Sequence, residues 1–266
     1  MPRIVELDAL ERTVRAEIFS AYVKDEKPIS LLIVAKPESA KTAVLKKCRQ
    51  NHGIVYLTNC TGYGLTRDIL PKIATGEIKH IMIADVITPL SKSTKTRQSF
   101  VAFLNNLIEE GVARMTTYAA VWDKEVNCGL ITGVTEDALQ DGRHDWAKMG
   151  FLNRMLLFSY SYPISVVQRI FNSLIDDRSA RGKPVKLELP PQPVDVILPD
   201  DIARELIPIS ARIGESMQVY GFRFFLNAKT FLKALALSRG KTTVTRREFE
   251  EFLELAKFFN SQFNPV

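Results

Sequence analysis

The chain has 266 residues, 46% hydrophobic and 25% charged, with a formal net charge of +6. It is long enough to bury a core without staples, ordinary for a globular protein, and basic enough to suit a nucleic-acid partner. Its three cysteines (Cys48, Cys60, Cys128) form no C-x-x-C pair and its three histidines no ligand spacing, which excludes the usual zinc patterns and points to a reducing cytoplasm.

Residues 1–14, MPRIVELDALERTV, form an amphipathic helical pattern and not a signal peptide. Leu7, Leu10, Val14, Ile18 and Val23 are close to helical spacing and predict a helix over 8–23. No apolar run approaches the ~20 residues of a membrane span, so no membrane partner is expected. Residues 30–34 are a short apolar run, the mark of a strand buried on both faces. Residues 35–40 are mostly small or polar, with Pro37 inside, and Lys41-Thr42 opens a helical run. Strand, tight loop, Lys-Thr and helix is the layout of a phosphate-binding P-loop. Loop N–H groups and the helix N-terminus then face the phosphates, Lys41 reaches the β/γ-phosphates, and the Thr42 hydroxyl holds Mg²⁺. Both glycines of G-x-x-x-x-G-K-[ST] are alanine here, Ala35 and Ala40. The stretch reads equally as a βα turn without a ligand.

Residues 53–57, GIVYL, predict a second strand, followed by a Gly-rich turn into a helix. Residues 80–84, HIMIA, predict a third, ending at Asp85. An apolar strand followed by Asp is the Walker B pattern, whose carboxylate binds Mg²⁺ through water opposite Thr42; the plain alternative is a loop cap. Val86 follows, and valine can neither take a proton nor hold a water. Glu109 and Glu110 are the nearest acidic candidates. The basic stretch 91–97, SKSTKTR, reads as a DNA-facing loop or a solvated helix start. A helix over 100–110 ends at Gly111. Residues 114–135 predict two strands about a turn near Asp123-Lys124, the second over 129–134, ending at Thr135 with Thr132 inside it. Arg154 precedes an apolar strand in GFLNRMLLF. Beyond a linker at 160–163, helices are expected at 164–175, at 202–220 with a break near Pro208, at 226–238 and at 246–263. A basic, proline-rich segment lies between the first two of them, and Val244-Thr245 caps the last. Phe222, Phe224 and Phe225 near Tyr220 read as core more than as a base-stacking platform.

Several of these stretches carry a resemblance. AKPESAKTAVLK, 35–46, resembles the P-loop of the minichromosome-maintenance helicases and MoxR-type ATPases of the AAA+ family. Those proteins share the alanine at Ala40 but carry glycine where Ala35 stands, and a Cβ there crowds the turn if it needs φ > 0. GYGLT, 62–66, resembles their Gly-Leu-Thr stretch after the second strand. GFLNRMLLF resembles their Leu-Leu-Ser-Arg-Phe-Asp motif, and 228–258 resembles an AAA+ lid.

The resemblance implies an α/β fold: a P-loop AAA+ core over 1–162, with a parallel sheet flanked by helices, and a small, mostly helical lid over 163–266 with a proline-rich insertion near 183–200. It implies ATP and Mg²⁺, held by Pro37, Glu38, Ser39, Ala40, Lys41 and Thr42, with Thr42 and Asp85 toward the metal. Thr135 or Thr132 would sense the γ-phosphate. Arg154 would be a finger supplied in trans, a role that suits a permanently charged, forked guanidinium. Arg223 lies near the sensor-2 place. A trans finger implies a ring or helical homo-oligomer, hexamer-like. The family places Glu after the Walker B Asp to orient water, and Val86 departs from it, so slow or absent hydrolysis is expected. The expected function is an oligomeric ATPase or nucleotide switch acting on nucleic acid, of replication or mobile-element type. The alternative is an assembly scaffold, or a MoxR-like remodeller of a protein client, with little or no turnover.

Overall fold

The apolar run at 31–34 becomes the strand on which the sheet turns. A computed structural model describes residues 5–110, 115–116, 121–122, 126–175, 184–216 and 219–259. Its strands are β1 (Leu31–Val34), β2 (Gly53–Leu57), β3 (Ile78–Ile83), β4 (Met115–Thr116), β5 (Val121–Trp122), β6 (Gly129–Val134) and β7 (Leu156–Ser159). Five of them form one sheet in the order β2-β3-β6-β1-β7, with every pairing parallel. β4 and β5 pair only with each other, Met115 opposite Trp122.

Parallel strands need crossovers, and the helices supply them. The helices are α1 (Val5–Ser20), α2 (Lys41–Cys48), α3 (Gly62–Gly64), α4 (Leu70–Ala74), α5 (Ile87–Leu90), α6 (Thr94–Asn105), α7 (Glu136–Lys148), α8 (Ile164–Ile175), α9 (Asp200–Ser216), α10 (Phe222–Leu237) and α11 (Arg246–Ala256). Side-chain alternation along β1 sorts them into two layers. Leu31 and Ile33 face a cluster with Leu10 and Val14 of α1, Val44 of α2, Phe231 of α10 and Phe252 of α11. Leu32 and Val34 face the other cluster, with Phe100 of α6 and Leu139 and Trp146 of α7. The parallel sheet flanked by helices is therefore as the sequence implied. The described part beyond 162 is helical apart from an irregular stretch over 184–199, and α10 and α11 share one apolar cluster with the sheet face.

Several boundaries differ from expectation. The helix over 202–220 has no break: Pro208 sits inside α9, where it is exposed, so the Arg204 carbonyl it leaves unbonded can turn to water. The last helix stops at Ala256, because the Ser159 amide donates to the Phe258 carbonyl and Phe258 stacks on Phe158 at 5.1 Å. Thr94 to Arg97 of the basic stretch are the first turn of α6, as in the helix-start reading. Ahead of Asp123-Lys124 the single expected strand is two short antiparallel ones, β4 and β5; Gly111, Asp123-Lys124, 176–183 and 260–263 lie outside the described residues.

Candidate functional site

Strand order creates the site before any side chain is considered. From β1 the chain crosses through α2 to the far edge strand β2. From β6 it crosses back over β1, through α7, to β7. These crossovers run in opposite directions and lie on opposite faces of the sheet, so the loops leaving β1 and β6 part and open a crevice at the carboxyl ends. A cavity of about 210 Å³ occupies it, lined by Pro37, Glu38, Ser39, Ala40, Lys41 and Thr42 with Asp85, Gly133 and Thr135 among others.

Each of these groups has a local reason for its place. Lys41 is the first residue of α2, and its ammonium donates to the carbonyls of Ala35 at 2.5 Å and Lys36 at 2.9 Å and to Ser39 Oγ at 3.2 Å. Burial pushes its pKa down, while the charges of Asp85 and Glu136 pull the other way. A Cβ on Gly133 would stand 3.3 Å from the Ala84 carbonyl, so glycine there lets the end of β6 lie close against the residue that follows β3. Asp85 follows β3, and its Oδ1 accepts from the Ile87 amide at 2.9 Å, fixing the carboxylate at the start of α5. Thr135 is the N-cap of α7 and accepts from the Ala138 amide. Thr132 is fully buried within β6, does not line the cavity, and its hydroxyl has no partner among the described residues. Of the two threonines, Thr135 is the one at the crevice.

The loop's backbone reverses one expectation. Ala35 has an ordinary negative φ and is fully buried, so no crowding arises there. The left-handed positions are Glu38 at φ 62° and Ala40 at φ 69°, conformations that cost a residue with a Cβ about 1–2 kcal/mol. Two tyrosines hold this loop from the far side. Tyr160 and Tyr162 both donate their hydroxyls to the Ser39 carbonyl, at 2.7 and 2.6 Å. Their sequence reads as a linker. The only hint was the i, i+2 repeat in SYSYP, which does not say what the two rings reach.

Four further residues named from the sequence are not in the crevice. Arg154 stands before β7, at the amino ends of the strands, with Nε 2.5 Å from Glu109 Oε2 and Nη1 donating to the Gly150 carbonyl at 2.8 Å. Arg223 binds the other oxygen of Glu109, so it sits in this same cluster and not beside Lys41. Lys27, just ahead of β1, donates to the Glu109 carbonyl. Glu109 is therefore committed to two arginines at the wrong end of the sheet to act on a bound phosphate; the Glu110 side chain lies outside the described residues. Val86 is fully buried in the α6–α7 core, so a longer acidic side chain there would enter apolar packing before it reached the crevice. The carboxylate that sequence reasoning passed over is Glu136, next to Thr135 and close enough to Lys41 to affect its charge.

Thr42 is exposed at the crevice, and Asp85 offers a carboxylate to the same cavity. One hydroxyl and one carboxylate fit Mg²⁺, which keeps several waters and takes its remaining ligands from phosphate. No family model matches the chain, and no curated protein matches it at a significant level.

Proposed function

We propose that the chain is a nucleotide-binding module of the AAA+ P-loop type that takes ATP with Mg²⁺. One observation carries the reading: loops leaving three neighbouring parallel strands bring Lys41-Thr42, Asp85 and Thr135 to a single crevice at the switch in strand order. Each residue type suits its task. The lysine supplies charge for the β/γ-phosphates, the hydroxyl and carboxylate oxygens suit a magnesium ion, and the N-terminus of α2 favours an anion. In this reading the helical C-terminal part is the lid, and Arg154 faces a neighbouring subunit.

The test is calorimetry with ATP and Mg²⁺. Loss of one charge-assisted contact costs about 1.5–3 kcal/mol, so Lys41→Ala should weaken binding about 10- to 100-fold. Equal affinity in the variant removes the P-loop assignment.

Slow turnover is the form of this activity that the crevice favours, because Val86 is turned into the core. A switch or assembly factor fits that feature better than a fast motor. The net charge of +6 keeps nucleic acid as the client of first choice, and binding to DNA that weakens steeply with salt would support it. Salt-independent capture of a protein client would support the remodeller reading instead.

A further inference from the structure

A second cavity lies at the other end of the sheet from the crevice. It holds about 270 Å³ at the amino end of β7, walled by Met155, Leu157, Ile213, Phe222, Phe224 and Phe259. That is near the lower limit of the ~300–1,000 Å³ of small-molecule sites, so the body of an occupant is one short chain or one ring. Its polar lining is sparse. The carboxamides of Asn153 and Asn227 reach it, and Arg223 is its one charged residue among the described residues. Backbone geometry holds the walls in place. A Cβ on Gly214 would stand 2.5 Å from the Gly221 nitrogen, and one on Gly221 would stand 2.2 Å from the Ser210 carbonyl oxygen, so α9 and the turn into α10 meet backbone against backbone. Tyr220 and Phe222 flank that turn at the rim, with their rings stacked 5.6 Å apart.

Arg223 is held as firmly as the walls. Its Nε donates to Glu109, whose other carboxylate oxygen lies 2.5 Å from Arg154 Nε. The two Nη groups of Arg223 have no partner among the described residues, so the fork keeps donors for a ligand. Arg154, Arg223 and Lys27 share one acid there, Glu109, which leaves the cluster positive. The first turn of α10 adds the partial positive charge of a helix start. Apolar walls with donors gathered at one place select a carboxylate on an apolar body. A guanidinium pairs with a carboxylate through two parallel hydrogen bonds, and an asparagine N–H adds a third donor. An amine would meet the same positive cluster as repulsion. A sugar or a nucleobase would bury polar atoms that these walls leave unpaired. A peptide would bring backbone N–H groups, for which the lining side chains offer only the two asparagine oxygens.

We propose that this cavity is a second ligand site, which takes a small apolar monocarboxylate such as a medium-chain fatty acid or an arylalkanoic acid. The carboxylate pairs with Arg223, and the body packs against Met155, Leu157, Phe222 and Phe259. Glu109 positions the guanidinium and does not touch the ligand. The site goes beyond the nucleotide reading and does not depend on it, because the crevice stands at the opposite ends of the strands.

Calorimetry on the full chain with octanoate, octanol and octylamine tests this, and proton–nitrogen correlation NMR locates the site. The three probes share a chain and differ in the head group. Octanoate should bind saturably, at least about 10-fold more tightly than octanol, as one charge-assisted contact provides, and octylamine should bind most weakly. Octanoate should also shift the side-chain amides of Asn153 and Asn227. Arg223→Gln should lower octanoate to the affinity of octanol, and Phe222→Ala should weaken both alike. These side chains are 50% and 71% exposed, and urea midpoints check that the variants fold; the three probes on wild type decide even where a variant is less stable. Absence of saturable octanoate binding at millimolar concentration overturns the proposal. So does octanol or octylamine binding as tightly as octanoate, a folded Arg223→Gln variant that keeps the preference for the acid, or shifts confined to other residues. Tighter binding of the uncharged peptide acetyl-Leu-Phe-Leu-amide than of octanoate assigns the cavity to a peptide and overturns it as well. Failure of ATP to bind counts against the nucleotide reading and leaves the octanoate result standing.

Discussion

Ala40 shows how a single Cβ can be held against its preference. The loop ahead of α2 enters the helix through a left-handed residue, and alanine takes φ 69° to supply it. Glycine would adopt that conformation freely and lose only the smaller entropy term. Ala40→Gly should therefore raise stability by about 1 kcal/mol, read as a higher urea midpoint with unchanged slope. A midpoint at or below that of wild type would show that the loop stores no strain there. At the same scale Glu136, and not Glu109, is the acid that bears on the crevice. The latter holds Arg154 and Arg223, whereas the former bears on the charge of Lys41.

At the scale of elements, the segment leaving β7 is a clamp on the loop ahead of α2. The Ser39 carbonyl accepts two hydroxyls, and Ser39 is itself buried. Removing one donor leaves the other in place, so Tyr160→Phe or Tyr162→Phe alone should cost less than about 1 kcal/mol. Removing both orphans a buried carbonyl, which costs about 1–3 kcal/mol, so the double variant should lose more than the sum of the singles. A double-mutant cycle by urea unfolding measures this, and strict additivity would mean the carbonyl finds another donor. Affinity for ATP should fall in the double variant for the same reason, since the loop is then less preorganised.

Across the whole molecule, the packing of α1 on the sheet encloses an acid and an imidazole. Glu17 and His80 lie 3.6 Å apart, both 1% exposed at the side chain. Gly129 on the neighbouring strand makes room, since a Cβ there would meet His80 Cδ2 at 2.4 Å. Burial raises the Glu17 pKa well above its ordinary value and lowers that of His80 to about 3. The signs are opposite in effect. Glu17 is raised, so its share of stability is present below pH about 4.5 and is lost as pH rises toward the folded value. His80 is depressed, so its share is present above pH about 6.5 and is lost as pH falls toward 3. Glu17→Gln abolishes the first loss and keeps the shape. The variant should gain over wild type by about 1.4 kcal/mol for each pH unit between the unfolded and folded values of Glu17. Urea midpoints at pH 5 and pH 8 check this: the gain should be larger at pH 8, and an equal gain at both would show that Glu17 does not titrate with folding.

Sequence alone determined what depends on neighbours along the chain. Periodicity marked β2, β6 and α8 to the residue, because a strand or helix face is written in adjacent side chains. The Lys41-Thr42 helix start and the Asp85 strand end were legible for the same reason. What the sequence missed was decided between distant segments. Pro208 stays helical because the carbonyl it frees faces water, and the last helix ends early because Phe258 packs on Phe158. Which loop residue takes φ > 0, Ala40 and not Ala35, follows from how the loop joins the sheet to α2. The Ser39 clamp joins residues more than a hundred positions apart, and Glu109 joins Arg154 and Arg223. No local pattern encodes such meetings, because the strand order that produces them is a property of the assembled sheet and not of any one strand.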